Sequence, residues 1–146
     1  HMCKNSIKKA CNCLKNVDTI IHLGDNVQDV DEIKKYYDGK IIYISGNCDF
    51  CKVPSEKTFI IGGKKFFITH GHKYDVKYNT FKLEYKAKEV GADVVLFGHT
   101  HIPYVALEKG IWYINPGSVS YSRSGNNSFA YLEINGEKIH TAINNL

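Results

Sequence analysis

Short apolar runs separated by polar, glycine-containing loops dominate the hydrophobic pattern of this chain. The runs are too short for helices and are rich in β-branched or aromatic residues, which is typical of buried strands. Four of them occupy residues 19–23, 41–44, 65–69 and 94–97. Each run leads into a loop that holds glycine and at least one polar side chain.

In the first half of the chain, segments with apolar residues at helical spacing lie between these runs. The resulting order of helix, strand, helix, strand predicts a parallel sheet with crossover helices. The expected helices are about residues 6–15, capped by Asn5 or Ser6; a segment capped by Asp29 or Asp31 and ended by Gly39; and about residues 80–90, ended by Gly91.

Later segments favour antiparallel hairpins, because paired apolar runs flank glycine-containing turns. Asn135 followed by Gly136 is the strongest of these turn signals. The expected hairpins pair residues 58–61 with 65–69, 104–107 with 111–114, and 129–134 with 138–143.

Length and charge suit one globular domain, which we assign to residues 3–146 of the 146. His1 and Met2 resemble a cloning remnant fused to a start methionine, so they are left out of the site. The net charge is +4, from 19 basic and 15 acidic residues, and no long charge run or membrane span is visible. We therefore expect neither nucleic acid nor a membrane as a partner. Five cysteines without paired zinc spacing predict reduced thiols and a cytoplasmic location.

The loops that follow the predicted strands carry side chains that bind metal ions or phosphate. In α/β folds the carboxyl ends of parallel strands lie at the same edge of the sheet. We therefore expect the polar side chains of these loops to lie close together. Carboxylate, amide and imidazole donors suit Mn²⁺, Fe²⁺, Zn²⁺ or Ni²⁺ better than Ca²⁺. The donors are Asp25, Asn47, His70, His99 and His101, with residues 115–118 as a fifth polar loop.

Five motifs in this order resemble one family, the calcineurin-like metallophosphoesterases, and most closely its small bacterial and archaeal phosphodiesterase branch. The motifs are Gly-Asp at 24–25, Gly-Asn-Cys-Asp at 46–49, Thr-His-Gly-His at 69–72, Gly-His-Thr-His at 98–101 and Asn-Pro-Gly-Ser at 115–118. The resemblance implies an α/β (α+β) fold. Its core is a two-sheet β-sandwich flanked by helices in four αββα layers.

The same resemblance implies metal-dependent hydrolysis of a small phosphodiester by a metal-activated hydroxide. Asp25 would bridge two ions; Asn47, His70 and His99 would complete one, and His101 would belong to the other. Arg123 would hold the phosphate through its guanidinium. Manganese is the favoured metal, with nickel, iron or zinc as alternatives, in one or two ions per chain.

The sequence departs from the family pattern at its start. The family opens with a strand and Asp-x-His, and neither is found before Asp25, so the first strand is expected to be missing through a late start or natural shortening. One firmly bound ion and weak catalysis are then expected. Strands beside the gap would expose backbone groups, which predicts a homo-oligomer formed through the exposed sheet edge.

Position 48 is the second departure, because related phosphatases carry a histidine there as general acid. Cys48 is a weaker acid, with an unperturbed pKa near 8.5. We assign Cys48 and Arg123 to the catalytic set and expect esters with stable leaving groups to react best.

The alternative function is a catalytically degraded scaffold or protein-binding module of the same fold, as the retromer subunit resembles these enzymes. The absent Asp-x-His favours this alternative, whereas the retained ligand set opposes it. Outside the ligand set, we expect His22 to pack in the core, His140 to face solvent and His72 to lie near substrate.

Overall fold

The computed structural model describes residues 3–146, so the cloning remnant expected at His1 and Met2 lies outside the described residues. Three helices and nine strands occur in this range, with a single 3-10 turn at His72–Tyr74. The helices are α1 (Lys4–Cys13), α2 (Asp29–Ile33) and α3 (Phe81–Val90). The strands are β1 (Thr19–His22), β2 (Lys40–Tyr43), β3 (Glu56–Ile61), β4 (Lys64–Thr69), β5 (Val94–Phe97), β6 (Pro103–Glu108), β7 (Ile111–Pro116), β8 (Ser128–Asn135) and β9 (Lys138–Asn145).

One layer is a five-stranded sheet with the order β3-β4-β5-β7-β6, in which β4, β5 and β7 run parallel. Side chains alternate between its two faces, as a strand requires. Phe67 and Val95 pack with Leu83 of α3, whereas Phe66 and Leu96 face the opposite layer. Both faces of the central strands are therefore buried, which explains their nearly continuous apolar sequences.

The opposite layer consists of two separate strand pairs. β1 pairs in parallel with β2, and β8 pairs in antiparallel with β9. Apolar side chains of both pairs pack with the same face of the five-stranded sheet. The expected four-layer sandwich is confirmed, with α3 outside one layer and α1 and α2 outside the other.

The start of α1 differs from the expectation that Asn5 or Ser6 would cap it. The Ile7 N–H donates to the Cys3 carbonyl at 3.0 Å, so the first turn already includes Lys4. The Ser6 hydroxyl donates to the Cys3 sulfur and caps no backbone group. The cap prediction was wrong. Burial of Ile7, Ala10 and Cys11 stabilises the helix more than a local cap would, so α1 begins before Asn5 and Ser6.

The second helix is also shorter than expected, because α2 ends at Ile33 and not near Gly39. The chain beyond it is held by Tyr37, whose hydroxyl donates to the Val17 carbonyl at 2.9 Å. The N-cap residue is Gln28, so the prediction that Asp29 or Asp31 caps α2 was wrong. Across residues 3–146 no helix has the length and apolar character needed to span a bilayer.

Candidate metal centre

The loops after β1, β2, β4 and β5 meet at one edge of the sandwich. Asp25 follows β1, Asn47 follows β2, His70 follows β4 directly and His99 follows β5. Because β1 and β2 are parallel, and so are β4 and β5, each layer delivers two loops to this edge. The structure thus brings together four of the five metal ligands expected from the sequence.

His70 Nε2 lies at the centre of these four side chains. It is 3.1 Å from Asn47 Oδ1, 3.4 Å from Asp25 Oδ2 and 3.2 Å from His99 Nδ1. Metal–ligand bonds of about 2.0–2.2 Å at tetrahedral or octahedral angles separate neighbouring donors by about 3 Å. The spacing of the donor atoms is therefore that of groups able to share one ion.

The ring orientation of His70 is fixed by a backbone carbonyl. Its Nδ1 lies 2.7 Å from the Leu23 carbonyl oxygen, which only accepts hydrogen bonds, so Nδ1 carries the proton. Nε2, the other ring nitrogen, therefore faces the Asp25 and Asn47 oxygens and is the atom available to bind a metal ion. A backbone carbonyl behind the ring is the usual support of a metal-binding histidine.

Positive charge is needed where these lone pairs meet. One proton from His99 Nδ1 satisfies a single contact, and the Asp25 and Asn47 oxygens still face His70 Nε2. A divalent cation supplies the missing charge, so the donor set fits a metal ion. Over residues 3–146, three His, Cys, Asp or Glu side chains do not already enclose a common point, so small side-chain rotations would accompany ligation.

Close backbone packing holds Asp25 beside the loop after β2. A Cβ on Gly46 would collide with the Asp25 carboxylate, and a Cβ on Gly24 would lie 2.5 Å from the Gly46 nitrogen. The Cys48 N–H donates to Asp25 Oδ1 at 3.0 Å. Burial alone raises the pKa of Asp25, but the contact with the His70 ring and the hydrogen bond from the Cys48 N–H prevail and hold this pKa well below its usual range. Asp25 is thus an ionised carboxylate at neutral pH.

Three of the expected ligands occupy the left-handed backbone region, which non-glycine residues rarely adopt. Their φ angles are 59° at Asp25, 69° at His99 and 58° at His101. Such conformations persist only where surrounding contacts fix them, and they concentrate at functional sites. Three of the six non-glycine residues with positive φ in the described range are thus expected ligands, which favours a functional cause.

The neutral imidazole is favoured at His72, His99 and His101. Burial, and then the nearby His70 ring, lowers the pKa of His99 to about 4. Burial is also the main cause of the lowered pKa values of His72 and His101, followed by His70 for the first and Arg123 for the second. Neutral rings are the form that binds metals.

His101 lies beside the loop that carries Arg123. The backbone N–H of Arg123 donates to the backbone carbonyl of His101 at 3.1 Å. The ring centroid of Tyr121 lies 6.0 Å from that of His101. The Arg123 side chain is exposed, and its charge contributes to the lowered pKa of His101. The exposed Arg123 therefore reaches the same edge as the donor cluster.

Asn115 supports the site without facing it. Its side chain is fully buried, and its Nδ2 donates to the Gly98 carbonyl at 2.9 Å and to Thr100 Oγ1 at 3.0 Å. Its Oδ1 accepts from the Gly117 N–H. Asn115 thus positions the loop that carries His99 and His101.

Sequence reasoning missed how closely His72 joins the cluster. Its ring centroid lies 5.5 Å from that of His70 and 6.2 Å from that of His99, and its buried Nδ1 has no hydrogen-bond partner among the described residues. Lys77, also missed, contributes a positive charge that lowers the pKa values of His99 and Cys48. The Thr-His-Gly-His motif signalled His72, but no local pattern singled out Lys77.

Of two further histidines outside the ligand set, only His140 fully matches its prediction. His22 is half-buried in β1, and its Nδ1 accepts from the Gly24 N–H at 3.3 Å. His140 is exposed on β9. All five cysteines are free thiols, and Cys48 is exposed beside Asp25.

Comparison with known proteins agrees with the four-layer fold. The family model described as the calcineurin-like phosphoesterase superfamily domain matches residues 1–137. The chain therefore belongs to the calcineurin-like phosphoesterase superfamily.

Its relatives include a probable metallophosphoesterase of Bacillus subtilis, YsnB, 36% identical over 110 residues that make up 73% of this chain. A probable metallophosphoesterase of Methanocaldococcus jannaschii is 33% identical over 120 residues, 82% of this chain. In both cases the chain spans 62% of the length of the relative.

Solved structures share the fold. A conserved Streptococcus pneumoniae protein, named as a predicted phosphoesterase, aligns with a TM-score of 0.84 and 29% identity over 99% of this chain and 84% of its own. An archaeal phosphodiesterase aligns with a TM-score of 0.77 and 26% identity over 95% and 92%. Vps29 of Entamoeba histolytica in complex with zinc, at 19% identity and a TM-score of 0.73 over 94% and 86%, shares the fold alone.

Proposed function

We propose that this chain carries the metal centre of a phosphodiesterase that acts on small phosphodiesters. The observation that carries the proposal is the convergence of Asp25 and Asn47 oxygens and a His99 nitrogen on His70 Nε2, all within 3.4 Å. The left-handed backbone at Asp25 and His99 supports it, since such strain is typical of functional sites.

Asp25, Asn47, His70 and His99 would hold one ion firmly, and Asp25 with His101 would contribute to a second. Manganese is the favoured ion, with nickel, iron or zinc as alternatives. A divalent ion held by these residues would lower the pKa of a bound water to supply a nucleophile and would offset the charge of the phosphate. Arg123, exposed beside His101, would orient the phosphate as a bidentate donor.

The test compares Asp25→Asn with His140→Asn, because the second substitution changes an exposed residue on β9. We expect Mn²⁺-stimulated hydrolysis of bis(4-nitrophenyl) phosphate to fall about 100-fold or more in Asp25→Asn. Calorimetric Mn²⁺ binding should weaken in parallel, whereas His140→Asn should match the wild type in both measurements. Unchanged hydrolysis in Asp25→Asn would contradict the proposal.

Cys48 bears on which esters react best. Partial burial, and then the Asp25 carboxylate, raises the pKa of this thiol, so it is a poor proton donor at neutral pH. We therefore expect aryl diesters, whose leaving groups need no proton, to be preferred over alkyl monoesters.

Cys48→His tests this role with paired substrates. We expect turnover of an alkyl phosphomonoester to rise relative to that of an aryl diester, because imidazole titrates near neutral pH. Cys51→His is the matched control, since Cys51 is another exposed thiol of the same segment. An unchanged substrate ratio in Cys48→His would exclude a leaving-group role at this position.

A protein-binding scaffold of the same fold is the second candidate, and the likeness to the Vps29 fold is the observation that favours it. The retained donor cluster speaks against a role without metal, because a pure scaffold needs no fixed His70 tautomer. Firm Mn²⁺ binding without metal-stimulated hydrolysis of any aryl phosphoester would favour the scaffold over the enzyme.

A further inference from the structure

A cleft of about 330 Å³ lies between α2 and the loop after β2. This volume is at the lower end of the range for small-molecule sites, which is about 300–1,000 Å³. All of its lining residues fall within 26–34 and 43–51. None of them is an expected metal ligand, so the metal centre leaves this cleft unexplained.

The cleft begins beside the metal centre. Cys48 lines it, and the backbone N–H of the same residue donates to Asp25 Oδ1 at 3.0 Å. The Cys48 sulfur lies 3.5 Å from Asn47 Nδ2. Asn26, which directly follows Asp25, also lines the cleft. One wall of the cleft is therefore in direct contact with two of the expected ligands.

The position of Cys48 indicates which part of a substrate would enter the cleft. In the proposed function, a phosphate lies at the metal centre and position 48 lies beside the leaving group. Because Cys48 also lines the cleft, the leaving group would depart toward it. The inference below therefore rests on the proposed function.

Two aromatic side chains line the cleft. The side chain of Phe50 is completely exposed, although it lies only two residues after Cys48. Tyr43 ends β2, and the Lys57 ammonium lies 5.4 Å from the centre of its ring. A ring bound against Phe50 would remove apolar area from water in the offset or edge-to-face arrangement that aromatic pairs prefer. A flat aromatic group therefore suits this cleft better than an alkyl group.

Hydrogen bonds hold the loop that carries Phe50. The Ser45 N–H donates to the Pro54 carbonyl at 2.9 Å, which closes the loop at its base. The Asp49 carboxylate accepts from the Val27 N–H at 2.8 Å, which fixes the residue before Phe50. A ligand that binds against an ordered loop loses less free energy by immobilising it.

The charges along the cleft favour an uncharged occupant. Among the described lining residues, the charged side chains are Asp31, Lys34 and Asp49. Lys34 Nζ lies 3.3 Å from Asp31 Oδ1, so the one cation already has an anionic partner. Two carboxylates and one ammonium disfavour a further phosphate, which leaves a neutral group as the occupant.

We propose that this cleft binds the leaving group of the phosphodiester and that this group is an uncharged aromatic ring packed against Phe50. Water supplies the oxygen that bonds to phosphorus, and one of its protons goes to solvent. The bond from phosphorus to the aryl oxygen breaks, and that oxygen keeps the electron pair as an aryloxide. Such a leaving group needs no proton from Cys48.

The test measures the calorimetric affinity of three phosphonates for the chain at saturating Mn²⁺. Benzylphosphonate has a CH₂ group in place of the ester oxygen of phenyl phosphate, so its ring is not released by hydrolysis. Methylphosphonate lacks the ring, and cyclohexylmethylphosphonate carries a non-planar ring. We expect benzylphosphonate to bind about tenfold more tightly than methylphosphonate and about threefold more tightly than the cyclohexyl compound.

Variants of Phe50 assign the preference to this ring. Phe50→Ala should reduce the preference for benzylphosphonate over methylphosphonate to about twofold, with the affinity for methylphosphonate unchanged. Phe50→Trp should retain the preference, because it keeps a flat ring. Phe81→Ala is the matched control, since it removes an exposed phenylalanine of α3, and all three affinities should match the wild type.

Three results would overturn the proposal: equal binding of benzylphosphonate and methylphosphonate, equal binding of the two ring compounds, or an undiminished preference in Phe50→Ala. In each case binding of methylphosphonate would still support the proposed function. If no phosphonate binds, the proposed function fails and this inference fails with it. A retained ring preference without metal-stimulated hydrolysis would contradict the proposed function alone.

Discussion

At the scale of single residues, the candidate site depends on the protonation of its imidazoles. The Leu23 carbonyl fixes one tautomer of His70, and burial keeps His99 neutral. Both effects leave lone pairs available in the folded chain before any ion arrives. This preorganisation has a consequence for stability that is measurable without metal.

Stability of the metal-free chain should fall on acidification because of His99. Its folded pKa is about 4, below the ordinary value of about 6.5. The unfolded chain therefore binds more protons between these values, and stability rises with pH across this window and is lost as pH falls from about 6.5 toward about 4. Urea unfolding at pH 7 and pH 4.5 in EDTA should show a smaller loss for His99→Asn than for wild type.

The matched variant for this measurement is His140→Asn, since His140 is exposed on β9. It should lose as much stability on acidification as the wild type. If His99→Asn and wild type respond equally to pH, burial of His99 is not what makes its protonation unfavourable.

At the scale of elements, the loops after β1 and β2 depend on each other. The Asp49 carboxylate accepts from the Val27 N–H at 2.8 Å and from the Gly46 N–H at 2.8 Å, which ties the two loops together. Gly24 and Gly46 let the backbones approach closely enough for Asp25 to receive the Cys48 N–H. Contacts from both loops therefore fix the position of Asp25.

Gly46→Ala should disturb this junction, because the new Cβ would collide with the Asp25 carboxylate. We expect a loss of about 1–3 kcal/mol in the free energy of unfolding, together with weaker Mn²⁺ binding. Gly98→Ala is the matched control, since its Cβ would meet only ordinary contacts of 3.6 Å or more. Thermal unfolding and Mn²⁺ titration of the two variants provide the comparison. Equal stability and equal Mn²⁺ affinity in both variants would show that the close approach at Gly46 does not position Asp25.

At the scale of the whole molecule, the division of one layer leaves two strand edges that do not pair with each other. The edge of β8 carries the half-exposed ring of Tyr131, and unpaired edges promote association between chains. Self-association at high concentration is the prediction made from the sequence, and it stays a prediction.

Light scattering over a concentration series tests this association. We expect the mass to rise above that of one chain, and Tyr131→Lys to reduce the rise, because a charge at a strand edge opposes edge pairing. Tyr85→Lys, on the exposed side of α3, introduces the same charge away from the edges and should have little effect. A single-chain mass at every concentration would contradict the prediction.

Local sequence patterns determined the strands, the turns and the types of donor. The apolar run of Val94–Phe97 identified a buried strand, Gly62 and Gly63 identified a turn, and the polar groups after the strands identified candidate ligands. These features depend on residues within a few positions of one another, so periodicity and turn chemistry suffice to predict them. The same patterns failed at the ends of α1 and α2, where packing outweighs capping.

Only the tertiary structure decided how distant segments meet. The Leu23 carbonyl that orients His70 is separated from it by 47 positions, and His72 joins His99 across the same edge. The separation of the β1–β2 pair from the β8–β9 pair likewise depends on how both pairs pack on the five-stranded sheet. The sequence by itself determined which groups are available, whereas the packing of the layers decided which of them share a site, because contacts between distant segments leave no local periodic signal.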